Sequence, residues 1–136
     1  MPSEVGSMPV LKRPLDPDTL RLAGFEDLGD WTLQNGELLS MKDAPVGSGV
    51  YAFVIDARVV YVGVAIGGLR RRLRCYARPG NRKTATRING EICAALEQGQ
   101  DVRVLAAIPP AMMWNGLPIN GAAGLELGLI QAYDLP

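Results

Sequence analysis

Two short apolar runs dominate the middle of the chain: Val50-Tyr51-Ala52-Phe53-Val54-Ile55 and Val59-Val60-Tyr61-Val62-Gly63-Val64. Both are rich in β-branched and aromatic residues and only Asp56-Ala57-Arg58 separates them, so they predict an antiparallel hairpin. Neither face of that hairpin is polar, which places it at the centre of a sheet. The period then changes. Leu69 to Ala77 reads as an arginine-rich helix and Thr84 to Glu97 as a second, with Ile88, Ile92 and Leu96 on one stripe. Asp101 to Ile108 alternates around Val102 and Val104 as a third strand that Pro109-Pro110 ends. Asn120 caps a last helix running to Tyr133. Gly121, Gly124 and Gly128 inside it each cost roughly 1 kcal/mol against alanine, a cost expected where a helix lies close against a sheet.

Ahead of this core, residues 1–15 hold three prolines and little periodicity. Asp16-Pro17 followed by Asp18-Thr19-Leu20-Arg21-Leu22-Ala23-Gly24 has an N-cap, a proline at the first helical position and a closing glycine, which predicts a short helix. Asn35-Gly36 between Trp31-Thr32-Leu33-Gln34 and Glu37-Leu38-Leu39-Ser40 is the strongest short hairpin signal, and Lys42 to Gly49 reads as a linker. The expected organisation is an N-terminal extension over residues 1–48, with the short helix and an accessory hairpin. An α/β (α+β) domain follows over residues 49–136, a small three-stranded antiparallel sheet flanked by helices.

Tyr51 and Tyr61 stand ten positions apart on the two strands of the central hairpin. A two-residue turn at Asp56-Ala57 would pair Ile55 with Arg58 and put the phenols on opposite faces. A three-residue loop, Asp56-Ala57-Arg58, pairs Ile55 with Val59 and puts both on one face, because strand parity is two. The three-residue loop is the expectation.

Composition narrows the chemistry. At 136 residues, 48% hydrophobic and 21% charged, the chain has the makings of one globular domain. It contains no histidine, which excludes Ser-His-Asp and Cys-His hydrolases, histidine-metal nucleases and histidine zinc sites. Cys75 and Cys93 read as reduced thiols of a cytoplasmic protein, and no stretch reads as a membrane span or a secretion signal. The net charge of zero conceals a segregation. Residues 57–90 carry nine bases, Arg58, Arg70, Arg71, Arg72, Arg74, Arg78, Arg82, Lys83 and Arg87, and no acid, whereas the flanking segments are acidic. Such a block is a candidate phosphate-binding surface, and arginine forks suit phosphate oxygens. A helix face neutralised by acids from the flanks is the alternative.

Arg72 and Tyr76, four apart, project from one face of their helix with Leu69 and Leu73, so the leucines can anchor the face and aim the guanidinium. Arg70, Arg71, Arg74 and Arg78 fall elsewhere on the helix and suit a nucleic-acid backbone, with Arg82, Lys83, Arg87 and Asn89 beside them. Glu126 is the one acid between Asp101 and Asp134, set among Gly124, Leu125, Leu127, Gly128 and Leu129. A lone carboxylate there is costly unless paired or metal-bound. One carboxylate with waters and a substrate phosphate suits Mg²⁺; a salt bridge to an arginine is the structural alternative.

Gly49-Val50-Tyr51, then Tyr61-Val62-Gly63, then an arginine helix with Arg72-Leu73-Arg74-Cys75-Tyr76, then Leu125-Glu126 resembles the GIY-YIG endonuclease superfamily from about Gly49 to the C-terminus. The resemblance implies DNA cleavage by in-line attack of water, with one Mg²⁺ or Mn²⁺ ion at Glu126. It also implies Tyr51 as general base, Tyr61 orienting the water or phosphate, and Arg72 at the scissile phosphate. The expected partner is DNA, taken as double-stranded, with a homodimer or a further recognition partner as sources of specificity. Many members carry a lysine directly after Tyr-Ile-Gly, where this chain has Val64, and the family's later asparagine segment has no counterpart before Leu135-Pro136. These departures keep a second reading alongside the first, a catalytically impaired nucleic-acid-binding module of the same fold. A plain α/β domain with structural tyrosines is the third.

Overall fold

A computed structural model describes residues 12–136. Its elements run β1 (Arg13–Pro14), α1 (Pro17–Leu22), β2 (Glu26–Asp30), β3 (Leu33–Gln34), β4 (Glu37–Leu38), β5 (Gly49–Ile55) and β6 (Arg58–Ala65). Then follow α2 (Leu69–Ala77), α3 (Lys83–Glu97), β7 (Arg103–Ala107), β8 (Met112–Trp114), β9 (Leu117–Ile119), α4 (Gly121–Ala132) and β10 (Tyr133–Asp134). Among the described residues no helix is long and apolar enough to cross a membrane. Most of the lead-in, residues 1–11, lies outside the description.

The main sheet has the order β2-β7-β5-β6 and is antiparallel throughout. Its centre is the expected three-stranded core, β7-β5-β6, in which β5 is buried along all but its last residue. The fourth strand, β2, comes from the N-terminal extension. Its sequence, Glu-Asp-Leu-Gly-Asp, has no apolar alternation to announce it. What holds it is the β7 ladder together with Arg103, which pairs with Asp30 at 3.1 Å and Asp27 at 3.5 Å. Trp31 and Leu38 of the same extension lie in one core cluster with Tyr51 and Phe53.

The β5–β6 turn differs from expectation. Asp56 and Ala57 both have positive φ, 52° and 57°, and Ile55 pairs directly with Arg58, which is a two-residue turn. Gln100 donates to Asp56 Oδ2 at 2.7 Å and holds it. Val54 pairs with Val59, but Phe53 then pairs with Tyr61, so a bulge falls at Val60. The extra residue restores the parity that the shorter turn removes. Val59 packs on one face of the sheet, whereas Val60 and Tyr61 both pack on the other, with Tyr51 and Phe53. The phenols therefore share a face, through a turn and a bulge rather than a three-residue loop.

Each face has its own cover. Helices α2 and α3 bury Leu69, Leu73, Tyr76, Ile88 and Ile92 against Tyr51 and Phe53. On the reverse side, Ala122, Leu125 and Leu129 of α4 and Leu15, Leu20 and Phe25 around α1 cover Val50, Ala52, Val54 and Val62. Asn120 caps α4 by accepting from the Ala123 amide at 3.0 Å. The glycines of α4 are not there for close sheet contact: a Cβ at Gly124 or Gly128 would meet nothing, because the contact is made by Ala122 and the leucines. A second Asn-Gly pair, Asn115-Gly116, turns an additional hairpin between β8 and β9.

Gly63 is different. It pairs across the ladder with Tyr51, and a Cβ there would overlap the Tyr51 ring. Gly63→Ala is expected to lose about 1–3 kcal/mol through this overpacking, while Gly128→Ala gains up to about 1 kcal/mol of helix propensity. Urea unfolding of the two variants beside the parent protein measures both; an unchanged midpoint for Gly63→Ala would contradict the assignment.

Candidate active site

The site is assembled from two elements that the sequence brings together for separate reasons. Helix α2 presses Leu69, Leu73 and Tyr76 onto the sheet, all fully buried, and this stripe fixes its rotation. Its first amides are taken up by the preceding linker: Leu69 N donates to Gly47 O and Arg70 N to Pro45 O, both at 2.9 Å. Gly49 enters β5 so close to the Leu69 side chain and the Ala107 carbonyl that a Cβ would collide with both. Val50 and Val62 point to the reverse face, into the α4 layer.

On the α2 face three phenols meet. Tyr51 and Tyr76 share a hydrogen bond of 2.5 Å, and Tyr76 donates onward to Tyr61 at 3.4 Å. Arg72 donates its Nε–H to Tyr51 Oη at 3.2 Å and stands over the Tyr76 ring, 5.2 Å from its centroid. Because the one hydroxyl proton of Tyr76 goes to Tyr61, the bond it shares with Tyr51 runs from Tyr51, and the phenol protons point from Tyr51 to Tyr76 to Tyr61. Tyr51 and Tyr76 are sealed from solvent; Tyr61, at the end of the chain, is half-exposed.

Electrostatics follow burial. Desolvation pushes the Tyr51 phenol up to about 12, against the opposing hydrogen bonds from Tyr76 and Arg72. Burial, with the neighbouring phenols, also drives Tyr76 well above the ordinary tyrosine value. Burial pulls Arg72 down, but its hydrogen bond and charge interaction with Tyr51 outweigh this and hold the guanidinium above its usual value. Among the described residues no carboxylate pairs with Arg72. Its charge opens onto a groove of about 350 Å³ between Val64–Gly68 and the α2 residues Arg71, Arg72 and Cys75, with Arg82 at the side. No acid lines this groove, so it can receive an anion.

The remaining expected residues divide. Arg71, Arg74, Arg78, Arg82 and Lys83 are exposed. Arg70 is exposed but anchors its Nε–H to Ala44 O at 2.8 Å. Arg87 pairs with Glu91 at 3.0 Å. Asn89 turns inward and donates to Tyr76 O at 2.7 Å, holding the end of α2 rather than facing solvent. Glu126 sits on α4, whose packed face lies across the sheet from the phenols. With Ala122 one turn away, it borders that packed face, half-buried, and has no ion-pair or hydrogen-bond partner among the described residues. The structure thus joins Tyr51, Tyr61, Arg72 and Tyr76 directly and leaves Glu126 outside their hydrogen-bond network. Lys42 was not anticipated: with Ser40, Met41, Arg70, Arg74 and Arg78 it lines a second acid-free notch of about 420 Å³ on the other flank of α2. A lone lysine in a linker carries no periodic signal that could have marked it.

No protein-family model and no curated protein matches the chain. Among solved structures, that of a bacteriophage T4 EndoII mutant is similar, with a TM-score of 0.71 and 21% identity over 88% of this chain and 96% of that one. The restriction endonuclease HPY188I in complex with product DNA is a looser match, with a TM-score of 0.49 and 19% identity over 94% of this chain and 87% of that one. The first likeness shows that this chain shares the EndoII fold.

The phenol chain sets a pH dependence. An unfolded tyrosine ionises near ~10, whereas folded Tyr51 holds its proton to about 12. The stability contributed by this burial is therefore fully present below the unfolded value and is lost as pH rises toward the folded one. Unfolding midpoints measured across alkaline pH are expected to be flat on the neutral side and then to fall. Tyr51→Phe should shallow that fall, and an identical slope in the variant would refute the assignment.

Proposed function

We propose that the protein is an endonuclease of the GIY-YIG type that hydrolyses phosphodiester bonds of DNA. The observation that carries this reading is Arg72: a half-buried guanidinium without a carboxylate partner among the described residues, fixed by a buried phenol and facing a groove that no described acid lines. In-line attack by water builds negative charge on the phosphoryl oxygens, and a preorganised cation is what such a transition state requires. The fold shared with EndoII and the exposed arginines flanking the groove support the same reading. Asn89 is set aside as a DNA contact, since its amide is engaged within the protein, whereas Arg87 keeps an exposed guanidinium paired with Glu91 at the surface.

The roles of the phenols are reassigned from the sequence expectation. Tyr51, sealed and shifted upward, is unsuited to accept a proton from water; its part is to hold Arg72. Tyr61 is the phenol of the chain that reaches solvent, on the side lined by Arg87 and Glu91, and the water-orienting role is assigned to it on that exposure. Tyr76 connects the two. Glu126, a half-buried carboxylate with no ionic partner among the described residues, fits Mg²⁺ or Mn²⁺, which keeps part of its hydration shell when held by one protein ligand. Held by Glu126, such an ion would supply Lewis-acid charge neutralisation to the reaction. Val64, in place of the family's lysine, lies half-buried toward the α4 layer and contributes no charge.

Supercoiled plasmid incubated with the protein in Mg²⁺ or Mn²⁺ is expected to be nicked or linearised. Arg72→Ala should reduce the rate by about 10²–10³-fold with far-UV circular dichroism unchanged, and Glu126→Ala should abolish it. Salt-sensitive DNA binding without cleavage in either metal would instead identify a binding module of this fold.

A further inference from the structure

Hydrolysis as read above leaves one proton without an acceptor. Water attacking a phosphodiester must shed a proton, and two groups are unfit to take it. Tyr51 is sealed and shifted upward, and Glu126 lies on the helix across the sheet from the phenols. Tyr61, the half-exposed phenol, lines a cavity of about 440 Å³ between β6 and α3, walled by Phe53, Val60, Ile88 and Ile92. Its oxygen accepts from Tyr76, so it keeps its own proton and one lone pair with which to hold a water.

Helix geometry brings a carboxylate to the same cavity. Ile88 and Ile92 press α3 onto the sheet, and Arg87 and Glu91 each precede one of them, so both flank that stripe on one side. Their ion pair, at 3.0 Å, engages Glu91 Oε1, while Oε2 has no hydrogen-bond partner among the described residues. Glu91 is the one described acid that lines the cavity, so a phenol able to hold water and an unengaged carboxylate oxygen share one small space. Links of 3.4, 2.5 and 3.2 Å run from Tyr61 through Tyr76 and Tyr51 to Arg72, which keeps a water on the phenol close to a phosphate on the guanidinium. We propose that Glu91 is the general base of this site, taking a proton from the water that Tyr61 holds. The inference rests on the nuclease reading and supplies the acceptor that reading lacks. As the water oxygen bonds to phosphorus, its O–H bond breaks toward Glu91 Oε2. The opposite phosphorus–oxygen bond breaks, the leaving oxygen takes a proton from bulk water, and Glu91 returns its proton to solvent.

Plasmid cleavage by Glu91→Gln and Glu91→Ala, measured beside the parent in Mg²⁺ or Mn²⁺, tests the assignment, with DNA affinity followed separately in metal-free buffer. Glu91→Gln keeps the size of the side chain and an oxygen for Arg87, and should cleave about 10²–10⁴-fold more slowly at undiminished affinity. Added formate, a carboxylate small enough for the vacated space, should restore part of the rate of Glu91→Ala and leave the parent unaltered. A residue that merely held Arg87 in place would not respond in this way. Cleavage by Glu91→Gln at the parent rate overturns this assignment alone, as does a slow Glu91→Ala that formate leaves slow. A parent that cleaves no DNA overturns the nuclease reading and this assignment with it.

Discussion

A tyrosine ring lying across a glycine is the contact on which the site depends. Because Gly63 has no Cβ, the Tyr51 ring can cross the neighbouring strand at van der Waals distance and carry its oxygen to the surface that α2 covers. There the oxygen meets two partners four residues apart on one helix, Arg72 and Tyr76. A side chain at position 63 would push the ring aside and leave the guanidinium without its acceptor. The site is thus set by the pairing of two strands and the rotation of one helix, both fixed by apolar packing. The polar groups are placed by burial before any of them contributes energy of its own.

The fate of the acids explains why the arginines of α2 remain available. Asp18, Asp27 and Asp30 are taken by Arg21 and Arg103, Asp134 lies near Arg58, and Glu91 pairs along α3 with Arg87. These are surface pairs, each contributing about 0–1 kcal/mol, so their effect is distributive rather than stabilising. They consume carboxylates at the β2 edge and on α3, and none reaches α2. The alternative that flanking acids neutralise the whole basic block accounts for Arg58 and Arg87 and fails for Arg72.

How much of this was legible in the sequence varies with the physics behind each element. The bounds of α2 and the Asn120 cap follow from local periodicity and capping, and they are where the pattern puts them. The shared face of Tyr51 and Tyr61 was reached through the wrong turn, because a bulge at Val60 leaves no trace in a run of β-branched residues. Strand β2 escaped because an edge strand held by backbone pairing and ion pairs needs no apolar alternation. The second Asn-Gly hairpin carries the same turn signal as the first, but its strands are only three residues long and one holds Pro118, so no alternating run flanks the turn. For the site, spacing alone placed Arg72 beside Tyr76. The inward turn of Asn89 and the separation of Glu126 from the phenols are tertiary outcomes that no local pattern encodes.

The short pairing of β1 with β10 has a mechanical consequence. Arg13 and Pro14 run parallel to Tyr133 and Asp134, and Leu15 O accepts from Val59 N just beyond. In a parallel pair the two chain ends leave in opposite directions. Tension applied between them loads both rungs together, in shear, instead of peeling them apart one at a time. Force would be carried across a strap that joins the outermost described strands to the central hairpin, and the four-stranded sheet behind it would feel the pull only after that strap had slipped.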